Sequence, residues 1–173
     1  MKKLSLLLFL LITLTSAHAQ DTLKLKATAQ RLLDATLKED YALLIDFTYP
    51  KVIEMGGGKD TMMATIKLGM QQMKESGFTF HSAKLLPLGK IYKAGKELHC
   101  LLPHTLVLKA KGGYLSSIAT LLCISSDEGK NWTYISAGSL DDKKLKTLFT
   151  NFNEELKLDK MPAPVFSTEE PKS

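Results

Sequence analysis

The chain has 173 residues, a formal net charge of +5 and 45% hydrophobic residues. That length holds one domain with a real core once a leader is removed, and not two. The charge falls by two, to +3, without Lys2 and Lys3, and the remaining lysines are scattered among acids; a nucleic-acid binder needs a basic stripe, so no nucleic-acid partner is expected.

The first element is the leader. Lys2 and Lys3 precede an apolar run from Leu4 to Leu14, followed by Ala17-His18-Ala19, the pattern of a secretory signal peptide spanning residues 1–19. The run is shorter than the roughly 20 residues a transmembrane helix requires, and no cysteine stands near the cleavage point to carry a lipid. The expected product is exported, periplasmic or secreted, with no membrane attachment after cleavage. Residues 20–160 then form a single α+β domain, and the proline-rich stretch 161–173 forms a flexible tail.

Between Thr22 and Lys38, the spacing of Leu25, Ala29, Leu32, Leu33 and Leu37 predicts an amphipathic helix. Asp40 is placed to cap a short second helix, "YALLIDFT", which Pro50 closes before opening one more turn through Glu54. Gly56 to Gly58 break the chain, and the residues that follow do not complete a phosphate loop. Asp60 or Thr61 is expected to cap a third helix running to about Ser76. Met63, Ile66, Met70 and Met73 form its inner stripe, and Gly77 is its stop.

From Phe78 the period becomes that of strands: "FTFHSAKLL", "KIYKA", "ELHCLLPHTLVLKA", "YLSSIATLLCISS" and "WTYISA" read as an antiparallel meander. The first two are compatible with one long strand bent at Pro87 to Gly89. Asp141 or Asp142 then caps a closing helix, "KKLKTLFTNFNEELK". Both faces of the central strands are apolar, with Leu102, Leu106 and Leu121 on one and Leu101, Val107, Ile118, Leu122 and Ile124 on the other. One face belongs to the helices; the other meets either the closing helix or a second copy in a sheet-to-sheet homodimer.

Helix, short helix "DYALLIDFTYP", glycine break, Met-rich helix and curved four-strand meander: this order resembles the nuclear transport factor 2-like superfamily, the cone-shaped, ketosteroid-isomerase-like α+β proteins, in a secreted bacterial form. The resemblance covers roughly residues 21–138. It implies N-terminal helices packed on a curved antiparallel four-strand meander with a closing C-terminal helix, and a pocket between helices and concave sheet. Tyr41, Ile45, Tyr49, Met63, Met70, Met73 and His104 are the candidate linings, and methionines suit a small apolar ligand of irregular shape.

The superfamily includes isomerases and dehydratases as well as non-catalytic modules, so fold does not decide function. An enzyme of this kind needs an acid or base and an oxyanion donor in one apolar pocket. Tyr41 or Tyr49 with Asp46, or a pocket histidine, is the only candidate set. Nothing at matching positions supports such a pair. The expectation is therefore an exported non-catalytic binding or interaction module, with a small isomerase- or dehydratase-type enzyme as the alternative.

Ser125 to Trp132, "SSDEGKNW", resembles the Asp-box hairpin of sialidase-type propellers. A single copy in so short a chain makes no propeller, and Arg31 is the only arginine available to hold an acidic sugar. Asp127, Gly129 and Trp132 are accordingly read as a structural turn. If the preceding hairpin turns at Lys111-Gly112, Cys100 falls opposite Cys123, either as a disulfide or as two buried thiols. His99 and His104, five apart on one strand, face opposite ways and cannot jointly hold a metal. No metal or cofactor is expected.

Overall fold

The computed structural model describes residues 22–158 and 160–171, so the expected signal peptide lies outside the described residues. Helix α1 spans residues 22–38. Helix α2, Tyr41–Phe47, opens on Asp40, whose carboxylate accepts the Leu43 N–H at 3.1 Å. Pro50 begins α3, Pro50–Met55, at a position where its missing N–H costs nothing. Helix α4 covers Lys59–Glu75. Neither Asp60 nor Thr61 caps it: Gly58 does, two residues earlier than expected, which leaves Asp60 in the first turn, where its charge meets the helix dipole favourably.

The strands pair antiparallel, and Thr48 adds one isolated parallel bridge to Tyr134. The strands of the sheet are β1 (Thr79–Leu85), β2 (Tyr92–Ala94), β3 (Glu97–Ala110), β4 (Gly113–Ser125), β5 (Thr133–Ser136) and β6 (Val165–Ser167). The long β3–β4 hairpin is its spine, in register from Ala110 opposite Gly113 to Leu98 opposite Ser125. Both β1 and β2 pair with β3. Between them, Leu86 and Gly89 donate to the carbonyls of Pro103 and Leu101, each at 2.9 Å, so the two segments form one edge interrupted at Pro87. Any side chain at Gly89 would place its Cβ 3.0 Å from the Leu101 carbonyl oxygen, a tight approach that the Leu101 backbone would have to relieve by a few tenths of an ångström.

This is an α+β fold in which helices precede the sheet and a further helix follows it. On one face, Cys100, Leu102, Leu121 and Cys123 join Trp132 and Tyr134 in a layer that takes Leu25 and Ala29 of α1. The Tyr134 hydroxyl donates to the Leu25 carbonyl at 2.9 Å and fixes where α1 lies. On the other face, Leu122, Ile124 and Ile135 take Tyr49, Leu148, Phe149 and Leu156. The second apolar face is thus met, at this end, by the chain's own closing segment. Helix α4 buries no residue fully and packs chiefly on α2 and α3.

Two expectations are corrected. The closing helix, α5, ends at Leu148 (Asp142–Leu148), because Phe149 is extended at φ −126° and ψ 120°. Thr150, Asn151 and Asn153 are weak helix formers, and the extended path still lays Phe149 and Leu156 on the sheet. The stretch after residue 160, expected to be mobile, contains β6, which pairs with β4 from Tyr114 to Ser116. An open strand edge offers unpaired N–H and C=O groups, and Val165-Phe166 has the β propensity to take them.

The β4–β5 turn is locked as its sequence implied. Ser125 Oγ donates to Asp127 Oδ1 at 2.9 Å and accepts the Gly129 N–H at 2.9 Å. The Asn131 backbone and side chain both donate to Asp127, at 2.8 and 2.6 Å. Gly129 supplies a φ of 90°, and Trp132 Nε1 donates back to its carbonyl at 3.0 Å. Burial works against the charge of Asp127, but hydrogen bonds from Asn131 and Ser125 outweigh it and hold its carboxyl below the ordinary 3.8. A depressed carboxyl stabilises above its unfolded value and loses that contribution as pH falls through the folded one. Asp127→Ala should lower unfolding free energy by about 1–2 kcal/mol in urea titrations at pH 7, and the gap to wild type should shrink below pH 4.

Candidate functional site

A cavity of about 900 Å³ lies over the outer half of the sheet. Its floor follows from register. Ser82, Val107 and Ser116 lie side by side across β1, β3 and β4, and Val165 of β6 extends that row. Lys84, Thr105 and Ile118 make the parallel row one pleat away. Alternation sends all seven to one face. Serine and threonine are short, so the rows leave a concave floor where larger side chains would have filled it. Pro162, Ala163 and Pro171 of the C-terminal segment form the rim, and Gln30 of α1 also contributes.

That segment is tied down at both ends. Val165–Ser167 pairs with β4 on one edge of the sheet, and Glu170 reaches His81 of β1 at 2.8 Å on the other side. The His81 ring also meets the Tyr114 ring, with centroids 5.0 Å apart. Residues 165–170 therefore act as a strap across the end of the hairpin.

The expected linings do not converge on this groove. The Tyr41 hydroxyl donates to Glu39 at 3.0 Å, and its ring lies under the Lys67 ammonium at 5.6 Å. Met63, Met70 and Met73 are half-buried on α4. Tyr49 is buried on the sheet face that carries Leu122, whereas His104 points to the face that carries Leu102. Asp46 is exposed and pairs with Lys59 at 2.9 Å, so it forms no couple with either tyrosine. Sequence reasoning missed the groove residues; the available signal was the Ser/Thr alternation in "HSAK" and "YLSSIAT".

A second cluster also escaped it. Glu97 and His99, two apart on β3, project to the same face. His99 Nε2 lies 3.1 Å from one oxygen of Glu97, and the other oxygen accepts the Tyr49 hydroxyl at 2.9 Å. The rings of Phe149 and Phe152 seal His99 at centroid distances of 4.8 and 5.7 Å. Its Nδ1 is buried with no partner among the described residues. Protonating that nitrogen would bury an unpaired N–H, and burial accordingly pushes the His99 pKa down, against the opposing pull of Glu97. Burial likewise lowers His104. It raises the Tyr49 phenol, with Glu97 adding to the effect.

Among the described residues, no group of three or more His, Cys, Asp or Glu side chains is arranged to hold a metal ion, and no helix is long and apolar enough to cross a membrane. No family model matches the chain, no curated protein matches it, and no solved structure matches it.

Histidines held neutral stabilise fully above their unfolded value, near 6.5, and that contribution is lost as pH falls from there through the lowered folded value. Urea titrations should show stability declining from pH 6.5 downward, by at most about 1.4 kcal/mol per pH unit per histidine. His99→Gln should flatten the slope. Tyr49→Phe removes one hydrogen bond from a carboxylate and should cost about 1–2 kcal/mol at pH 7.

Proposed function

We propose that the protein is an exported, non-catalytic binding module that takes a small, elongated apolar ligand with an anionic end in the groove beneath the C-terminal strap. The observation that carries this reading is the lining itself. Val107, Ile118, Ala163 and Val165 give apolar contact, serine and threonine hydroxyls stand between them, and Lys84 is the one charged side chain among the described lining residues. A volume near 900 Å³ is within the size range of small-molecule sites. An ammonium at the edge of an apolar groove suits a carboxylate headgroup.

The enzymatic alternative needs an acid and a base beside the substrate. Among the described residues, the groove lining holds no such pair, and the Tyr49–Glu97–His99 cluster lies apart from it, packed under two phenylalanine rings. Export rests on the leader sequence, and kinship with the nuclear transport factor 2-like superfamily rests on element order. A homodimer through the sheet is not required by this reading. Part of the face that suggested it is occupied by α5 and the residues after it.

A dansyl-labelled C11 fatty acid is a suitable probe. It should bind the protein with a rise in fluorescence, and Ser116→Trp, which fills the floor, should abolish the signal. Lys84→Met should weaken the free acid about tenfold and leave its methyl ester unchanged. Met70→Ala, on α4, should have no effect. A Ser116→Trp protein that folds and still binds would sink the proposal.

A further inference from the structure

Cys100 and Cys123 are directly opposed across the β3–β4 ladder. Both are fully buried in the layer beneath α1, with Trp132 and Tyr134 beside them. Both thiols are free in the structure, and the Cys123 thiol donates to the Leu121 carbonyl at 3.9 Å. Opposed residues in an antiparallel pair have Cα atoms about 4.5–5.5 Å apart, within the range of about 4.4–6.8 Å that a disulfide spans. These are the two cysteines of the chain.

We propose that Cys100 and Cys123 are joined by a disulfide that forms before the hairpin is buried and is sealed by folding. The oxidant is a small or protein-borne disulfide. The Cys100 thiolate attacks one of its sulfurs, releasing the first oxidant thiol and leaving a mixed disulfide. The Cys123 thiolate then attacks the Cys100 sulfur and releases the second. Two electrons and the two protons from the cysteines end on the oxidant's sulfurs. In the folded chain neither sulfur is exposed, and burial pushes the Cys123 thiol well up, so little thiolate is available there.

The bridge lies at the base of the hairpin whose outer arms carry Thr105, Val107, Ser116 and Ile118 of the groove. It would pin their register, since a one-residue slip turns every side chain to the other face. Closing the chain from Cys100 to Cys123 should raise the folded-to-unfolded ratio by about a hundredfold. The inference is independent of what the groove binds.

The test uses the full chain, reduced and unfolded in guanidinium chloride, then refolded by dilution into a buffer of reduced and oxidised glutathione. Iodoacetamide labelling under denaturing conditions and intact mass then count the thiols. The expected product carries no label and is about 2 Da lighter than the dithiol. Protein refolded under reductant and moved to the same buffer without denaturant should still take two labels after an hour. Two labels, or glutathione on either sulfur, after oxidative refolding would overturn the bridge; rapid oxidation of the folded dithiol would overturn the sealing. Urea titration of the oxidised and reduced forms should differ by the hundredfold ratio. Equal stability would remove the stapling role, for which a Cys100→Ala/Cys123→Ala variant, insensitive to reductant, is the control.

Discussion

The β3–β4 ladder is apolar on both faces, and covering it twice is the constraint that positions the other elements around it. Leu102 and Leu121 require a partner layer on one side, while Leu122 and Ile124 require one on the other. A single amphipathic helix cannot serve both. Helix α1 takes the first face, and the second is shared by Tyr49 at the start of α3, the end of α5 and the extended residues that follow. Each full burial of a large aliphatic side chain is worth about 1.5–3 kcal/mol, so the two layers together supply most of the drive toward this arrangement.

The polar contacts inside these layers decide direction more than energy. Tyr134 anchors α1 by a hydrogen bond to a backbone carbonyl, and Tyr49 anchors the chain before α3 to Glu97. A buried hydroxyl left unpaired costs more than the bond itself returns. Each tyrosine therefore selects one docking geometry among several that would bury similar area. His99 belongs to the same logic. It is held neutral in an aromatic pocket, with one ring nitrogen satisfied by a carboxylate that also serves Tyr49.

Cover is incomplete toward the hairpin tip, and that gap is the candidate site. The helices do not fill the outer half of the second face, where the residues become Ser82, Thr105, Ser116 and Ile118. The exposed edge of β4 is left for the C-terminal residues, and Val165–Ser167 occupies it. Strap and groove thus share one origin, a hairpin that extends past the elements available to bury it. Among the described residues, the lining combines apolar contact with scattered hydroxyls and the single lysine Lys84.

Local features were legible because their physics is local. The 3.6-residue and two-residue periods of the apolar positions, the Asp40 cap, Pro50 opening α3 and the Asp127 turn all depend on neighbours within a few residues, and so does the Lys111-Gly112 turn that brings Cys100 opposite Cys123. What the sequence could not rank was competition between distant surfaces. The Met-rich stripe of α4 looked like a pocket wall, yet α2 and α3 are what it packs against. The C-terminal stretch looked unstructured because three strand residues mean nothing until an edge is free to pair with them. By itself the sequence determined the order of elements as far as α5 and the α+β class, through spacing, caps and turns. The tertiary structure alone decided which face each segment covers and where cover runs out, because those outcomes depend on which burial sites remain open once the ladder has formed.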